Sequence, residues 1–293
     1  MHNNIENELL DLGIIDSTNI FEIYPTVRDS NNISVKKDKL TNVIYLSENK
    51  YIDNSTYEDK KFVDYWGGGL RETALINTLN DDNRRFKEFS EIIKNKNYLD
   101  FGTGLGGVLD LFKRVAKSIS GIELQKEIRD YLTKSGYAMY GSLEEVPNKV
   151  KFDVISLFHV FEHLSSPLKY LKDIKDKLVE GGKIIIEVPH ANDALLSLYD
   201  IDEFKKFTFW SEHLILHTRS SLEIYLKSAG YKNIVISGYQ RYPLANHIYW
   251  LNKKKPGGQI IYNFLSNASI DSAYQEVLNK IDKTDTLIAI AEK

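Results

Sequence analysis

Between residues 97 and 123 the chain reads N-Y-L-D-F-G-T-G-L-G-G-V-L-D-L-F-K-R-V-A-K-S-I-S-G-I-E, and the residues able to do chemistry stand at its turns. Gly102, Gly104, Gly106 and Gly107 carry no Cβ, so a ligand can lie against bare backbone N–H groups, with Thr103 between them. Asp100 precedes the first glycine, and Glu123 closes the stretch with a carboxylate able to take both hydroxyls of a ribose. A second set is made of His159, His163, His190, His213, His217 and His247. Histidine is the side chain best matched to proton transfer at neutral pH, and His159, at a strand end, is the first candidate for a general base, with His213 the second. The absence of cysteine removes disulfides, thiolate metal sites and cysteine nucleophiles together.

These residues need a scaffold, and the apolar pattern around them supplies one. Tyr98 to Phe101 reads as a short strand, Val108, Leu111, Phe112 and Val115 as one face of a helix, and Ser118 to Ile122 as a second strand. That order opens a Rossmann-like nucleotide site, and the spacing of Gly102, Gly104, Gly107 and Glu123 admits NAD. Asp100 turns the spelling into D-x-G-x-G-x-G, which resembles motif I of the class I S-adenosylmethionine (SAM) methyltransferases. An acid there suits a ligand with an amino group and a sulfonium, and ill suits a pyrophosphate.

The following segments bear on that choice. Leu124, Ile128, Tyr131 and Leu132 predict a helix face stopped by Gly136, and Tyr137 to Tyr140 a third strand. F-D-V-I-S-L-F, ending at Phe158, is a buried strand whose sequel H-V-F-E-H-L falls at the carboxyl edge of the sheet. Ser165-Ser166-Pro167 caps a helix with Leu168, Leu171, Ile174 and Leu178 inward; Gly181-Gly182 ends it, and Lys183 to Val188 is a fifth strand. The series resembles the methyltransferase pattern F-D-x-I-x-x-x-x-V-x-E-H-L-x-x-P followed by L-x-x-G-G-x-x-x-I-x-x-P, and it decides for SAM over NAD. Trp210 to Glu223 adds a second E-H-L before a helix opened by Ser220 with Glu223 as a capping box, a combination similar to methyltransferases that modify sugars and other small metabolites.

The resemblance implies an α/β fold with a Rossmann-like seven-stranded sheet, six strands parallel and one antiparallel, over residues 97–293. Asn233 to Tyr239 and Thr286 to Ala291 are its last strands, and residues 240–285 between them form an insertion. Residues 1–60 read as a small β-rich element, with strands at Ile33 to Val35 and Val43 to Leu46, and residues 61–96 as a helical lid and linker, its helix at Arg84 to Lys94. Asp100, Gly102, Thr103, Gly104, Gly106, Glu123, Leu124, Ser142, Leu143, Phe158 and His159 are then the expected SAM contacts, Ser142 and Leu143 beside adenine. Tyr65, Trp66, His163, His190, His217, Arg241, Tyr242 and His247 are the expected acceptor contacts. The aromatic and basic insertion reads as an ordered acceptor wall; a dimer contact is its other reading.

Methyl transfer is an in-line displacement that requires alignment of the acceptor, exclusion of water and, for a hydroxyl, removal of a proton. The expected acceptor is a hydroxyl or amine of a sugar or nucleotide-linked sugar in bacterial surface polysaccharide synthesis, and the product S-adenosylhomocysteine. A quinone or phenol O-methyltransferase, a non-catalytic SAM-binding subunit and a nicotinamide reductase are the competing readings. No metal is expected: H-x-x-E-H at His159 to His163 would need both histidines on one helix face. It also departs from the E-x-x-E-H of ubiquinone-pathway O-methyltransferases, which can hold a divalent ion, by His159 in place of the first acid. A formal charge of -3, no basic patch and no run of 18 apolar residues point away from nucleic acid and from a membrane span. With Met1 to Leu10 polar, a cytoplasmic protein is expected.

Overall fold

The computed structural model describes residues 4–48 and 71–293. Its centre is a seven-stranded sheet built from residue 97 onward. From the N-terminus, α1 (Asn4–Asp11) is followed by β1 (Ile20–Tyr24), β2 (Val35–Asp38) and β3 (Ile44–Leu46), then by the long α2 (Arg71–Ile93). Strand β4 (Asn97–Phe101), α3 (Gly107–Phe112), β5 (Ser118–Ile122), α4 (Lys126–Lys134) and β6 (Ala138–Tyr140) make the first half of the sheet. Then come β7 (Phe152–Phe158), α5 (Pro167–Lys177), β8 (Leu178–Pro189) and the short helices α6 (Ala194–Ser197) and α7 (Asp202–Thr208). Strand β9 (Ile215–Leu216), α8 (Arg219–Ser228) and β10 (Lys232–Tyr239) precede the insertion. The insertion folds as α9 (Leu244–Lys253), α10 (Gly258–Ile261) and α11 (Ala268–Lys280) before the final strand β11 (Thr286–Glu292).

The strand order is β10-β11-β8-β7-β4-β5-β6. Strand β11 runs antiparallel to both β8 and β10, while β8, β7, β4, β5 and β6 pair in parallel. Six strands therefore share a direction and one opposes them, as the sequence predicts. The central strands are mostly apolar because both faces are covered. Leu99, Ile155, Ile184 and Ile186 face a core shared with Leu171 of α5 and Leu222 of α8, whereas Tyr98, Val154 and Ile185 face one shared with Phe89 of α2 and Phe112 of α3.

The structure departs from the predicted elements where the deciding contact comes from elsewhere in the chain. Strand β9 hydrogen-bonds β3, so the N-terminal strands form a four-stranded antiparallel sheet completed from residue 215 onward. Ile5, Leu9, Ile33 and Val35 lie in the same core as Leu171 and Leu222, which joins residues 4–48 to the main sheet. Gly181 and Gly182 lie inside β8 rather than ending a helix, and α5 stops at Lys177. Tyr131 is exposed, its ring under the Arg71 guanidinium at 5.5 Å, so only Ile128 and Leu132 of α4 are buried. Ser166 makes no side-chain cap to α5; its hydroxyl accepts from Asn4 Nδ2 at 3.1 Å. The capping box of α8 is Thr218 with Ser221, two residues earlier than Ser220 with Glu223.

Candidate active site

The glycine turn leaves β4 at the carboxyl edge of the sheet. Gly102 has φ 78°, and a Cβ there would meet Val160 Cγ2 at 2.4 Å, so the turn can approach the segment that follows β7 only without a side chain. Gly104 N–H donates to Glu123 Oε2 at 2.7 Å and Gln125 N–H to Glu123 Oε1 at 2.9 Å, which fixes the carboxylate at the end of β5. Burial pushes the Glu123 carboxyl up from its ordinary value, against the pull of these donors. Asp100 is buried beneath the turn, where Ser156 Oγ donates to its Oδ1 at 2.5 Å, and burial raises it to about 6. Thr103 Oγ1 turns back to the Asp100 carbonyl at 3.0 Å. Asp100, Gly102, Thr103, Gly104, Glu123 and Gln125 border one cavity of about 760 Å³, and so do Leu124, Ser142, Leu143 and Phe158. Gly106 sits behind them as the left-handed N-cap of α3, where a Cβ would meet Leu132 at 2.7 Å.

His159 follows β7 with φ 55°, a left-handed conformation for a residue with a side chain, and it borders the same cavity. Its Nδ1 lies 3.2 Å from Glu162 Oε1, and its Nε2 lies 3.2 Å from Glu187 Oε1 and 3.0 Å from Arg241 Nη1. Burial and Arg241 favour the neutral ring, but the two carboxylates prevail and raise its pKa. Glu187, wholly buried, also accepts from Arg85 Nη2 at 2.7 Å and Arg84 Nη2 at 2.8 Å, and Arg241 pairs with Asp81. This ion cluster ties α2, β8 and the start of the insertion together at the cavity wall. Both ring nitrogens are engaged, by Glu162 on one side and by Glu187 and Arg241 on the other, so the geometry does not favour His159 as a base.

The other end of the cavity is bordered by His163, His190, His213, Arg241, Tyr242 and His247, with Phe204, Trp210 and Trp250 among them. His213 Nδ1 is buried without a partner, and burial lowers the ring to about 3, too weak a base for efficient transfer at neutral pH. His190 Nδ1 contacts the Thr284 carbonyl at 2.9 Å, and His247 Nδ1 lies 2.7 Å from Tyr274 Oη; burial lowers each to about 4. The Tyr242 N–H donates to Asp285 Oδ2 at 3.1 Å, and its ring is exposed. His217 is outside the cavity: it is stacked on Phe161 with centroids 5.1 Å apart, and its Nδ1 lies 3.3 Å from the Ser221 hydroxyl. It belongs to the core, against the expectation of an acceptor contact. Tyr65 and Trp66 lie outside the described residues.

A family profile described as a methyltransferase domain matches residues 75–236, more than half of the chain. The chain belongs to the methyltransferase domain family. Among its relatives, the uncharacterized protein MJ1123 of Methanocaldococcus jannaschii is 29% identical over 141 residues, 46% of this chain and 64% of that protein. The mitochondrial ubiquinone biosynthesis O-methyltransferase of Candida albicans is 22% identical over 148 residues, 45% of this chain and 44% of that enzyme. The match thus spans less than two thirds of either relative's length. The crystal structure of a SAM-dependent methyltransferase from Archaeoglobus fulgidus superposes with a TM-score of 0.50 at 19% identity, over 79% of this chain and 98% of that one. It shares the class I methyltransferase fold with this chain.

Within this methyltransferase the sequence missed several residues that border the cavity. Asp193 is buried, its Oδ1 accepting from Leu195 N–H at 2.7 Å; burial and the charge of Asp285 raise it to about 8. Asp285 holds the insertion's first turn by accepting from the Arg241 N–H at 2.9 Å. Asp193 follows β8 in P-H-A-N-D, a carboxyl-edge position that could have marked it. Asp81 and Arg85 on the cavity wall, and the buried Glu187 that Arg85 pairs with, carried no such mark, because their convergence needs α2 laid across the sheet edge.

Proposed function

We propose that the chain transfers the methyl group of SAM to a hydroxyl of a small acceptor, a sugar or nucleotide-linked sugar of the kind used in surface polysaccharide synthesis. Glu123 takes the ribose hydroxyls, the glycine turn takes the methionyl part, and Ser142 and Leu143 flank adenine. The observation that carries the reading is the continuity of one cavity from the glycine turn and Glu123 to a chamber of mixed character. Phe204, Trp210 and Trp250 give the chamber an apolar aromatic lining, while Asp193, His190 and Asn246 add polar groups, a mixture that suits a sugar ring. Arg241, Tyr242 and His247 complete the acceptor wall from the insertion.

Calorimetric titration with SAM, S-adenosylhomocysteine and NADH tests the cofactor. Micromolar binding of the first two is expected, weakened about tenfold or more in Glu123→Ala through loss of charge-assisted hydrogen bonds. Binding of NADH instead refutes the reading. A phenolic or quinone acceptor is the second reading, favoured by the exposed Ile260, Ile261 and Phe264 beside Pro256 and Gln259 of the cavity wall, and by the ubiquinone enzyme among the relatives. Turnover of sugar nucleotides against that of catechols, followed by release of S-adenosylhomocysteine, separates the two.

A further inference from the structure

Glu162 is wholly buried, yet its Oε2 meets no hydrogen-bonding group, and neither does the buried Nδ1 of His213. An unsatisfied buried carboxylate oxygen is costly unless a ligand meets it. The His213 ring centroid lies 5.0 Å from that of His163, and one potential ligand atom from each of Glu162, His163 and His213 lies within 4.8 Å of the others. Two donors on one first-row ion stand up to about 4.2 Å apart, twice a bond of about 2.1 Å, so small side-chain rotations close the set. The backbone already holds the two segments together, since Leu214 N–H donates to the Glu162 carbonyl at 2.9 Å. Glu162 Oε1 lies 3.9 Å from His163 Nε2, and the His159 Nδ1 contact to the same oxygen at 3.2 Å holds the carboxylate from the other side, an orienting role of the kind that supports metal carboxylates.

We propose that Glu162, His163 and His213 bind one divalent first-row ion, and that its open positions receive a hydroxyl, or two neighbouring hydroxyls, of the acceptor. Two imidazoles and one carboxylate with open positions suit such ions. His159 is not a ligand, because Glu162, Glu187 and Arg241 surround its ring nitrogens; the third donor comes from His213, in a separate segment. His163 and His213 border the same cavity as the glycine turn, which brings the ion to the acceptor side of the cofactor. This inference rests on the methyl-transfer reading for its role, since it supplies the hydroxyl activation that neither His159 nor His213 supplies as a base. A metal-bound hydroxyl loses its proton to solvent more readily. The freed electron pair on oxygen forms the O–CH₃ bond as the C–S bond of the sulfonium breaks, leaving neutral S-adenosylhomocysteine.

The test uses the full chain stripped with chelator and titrated with MnCl₂, followed by electron paramagnetic resonance of free Mn²⁺. One saturable site is expected, and its affinity falls about tenfold or more in Glu162→Gln and in His213→Phe, each checked for an unchanged thermal melt. Pulsed resonance on the unaltered chain should show nitrogen couplings from two imidazoles, a readout independent of the variants. Absence of a saturable site for Mn²⁺, Co²⁺ or Zn²⁺, or bound Mn²⁺ without imidazole coupling, overturns the proposal. S-adenosylhomocysteine affinity is measured on the same preparations: cofactor binding without metal binding refutes the ion alone, and metal binding without cofactor binding refutes the methyl-transfer reading while the site stands.

Discussion

Asp193 lies at the cavity wall with its carboxyl pushed up to about 8, first by burial and then by the charge of Asp285. The unfolded chain releases that proton near pH 4, so between about pH 4 and 8 the native state binds more protons than the unfolded state. Stability from this group is therefore present at low pH and lost as pH rises toward 8. Asp193→Asn keeps the acceptor that caps α6 through Leu195 N–H and has no charge to acquire. The variant should match the parent near pH 4 and exceed it by about 1 kcal/mol or more at pH 8, read from urea unfolding at several pH values. An increment that does not change with pH would show that the side chain is not held protonated. The same carboxyl, losing its proton near neutral pH, is better placed to titrate during turnover than His213 at about 3.

Helix α8 shows how a local signal can be displaced by two residues. Thr218 Oγ1 accepts from Ser221 N–H at 3.3 Å, and Ser221 Oγ accepts from Thr218 N–H at 2.9 Å. Thr218→Ala should lower stability by about 1 kcal/mol in urea unfolding, whereas Glu223→Ala, which loses an exposed pair with Lys227, should stay within about 0.5 kcal/mol. Equal losses would restore the Ser220 and Glu223 cap. The sequence places hydroxyls at 218, 220 and 221, and only the path of the chain entering from β9 selects among them. Elements whose determinants are contiguous were legible: the apolar run of β7, the glycine turn after β4, and Glu123 at the end of β5. Those that depend on a distant partner were not. Ile215 and Leu216 join the N-terminal sheet only because β3 lies beside them, and Gly181-Gly182 form an irregular stretch of β8, Gly181 at φ 72°, between its pairings with Phe152 and Val154 of β7. The convergence of Glu162 with His213 was hidden likewise, although both motifs carrying them were visible.

At the scale of the whole molecule, three buried histidines, two at the cavity wall and one in the core, are held neutral. His190, His217 and His247 are each at most 1% exposed, and burial lowers each to about 4. An unfolded histidine takes up a proton near pH 6.5, so as pH falls from there toward 4 the unfolded state binds more protons than the native state. Their contribution is complete above about pH 6.5 and is lost through that window. Glu162, held at about 2 by the His159 hydrogen bond and the charges of His163 and His159 despite burial, adds a loss that begins only below its ordinary carboxylate range. His159, raised by Glu162 and Glu187, acts in the opposite sense: its contribution is present below its ordinary value and is lost as pH rises through its folded one. His217 separates these effects, because it lies away from the cavity between Phe161 and Tyr225. His217→Phe retains the ring stacking and removes one protonation, so the loss of stability between pH 8 and pH 5 should shrink by about 2 kcal/mol relative to the parent. Thermal or urea unfolding at both pH values reads this directly. An unchanged pH dependence would mean that His217 reaches solvent and titrates freely before the chain unfolds, contrary to its place in the core.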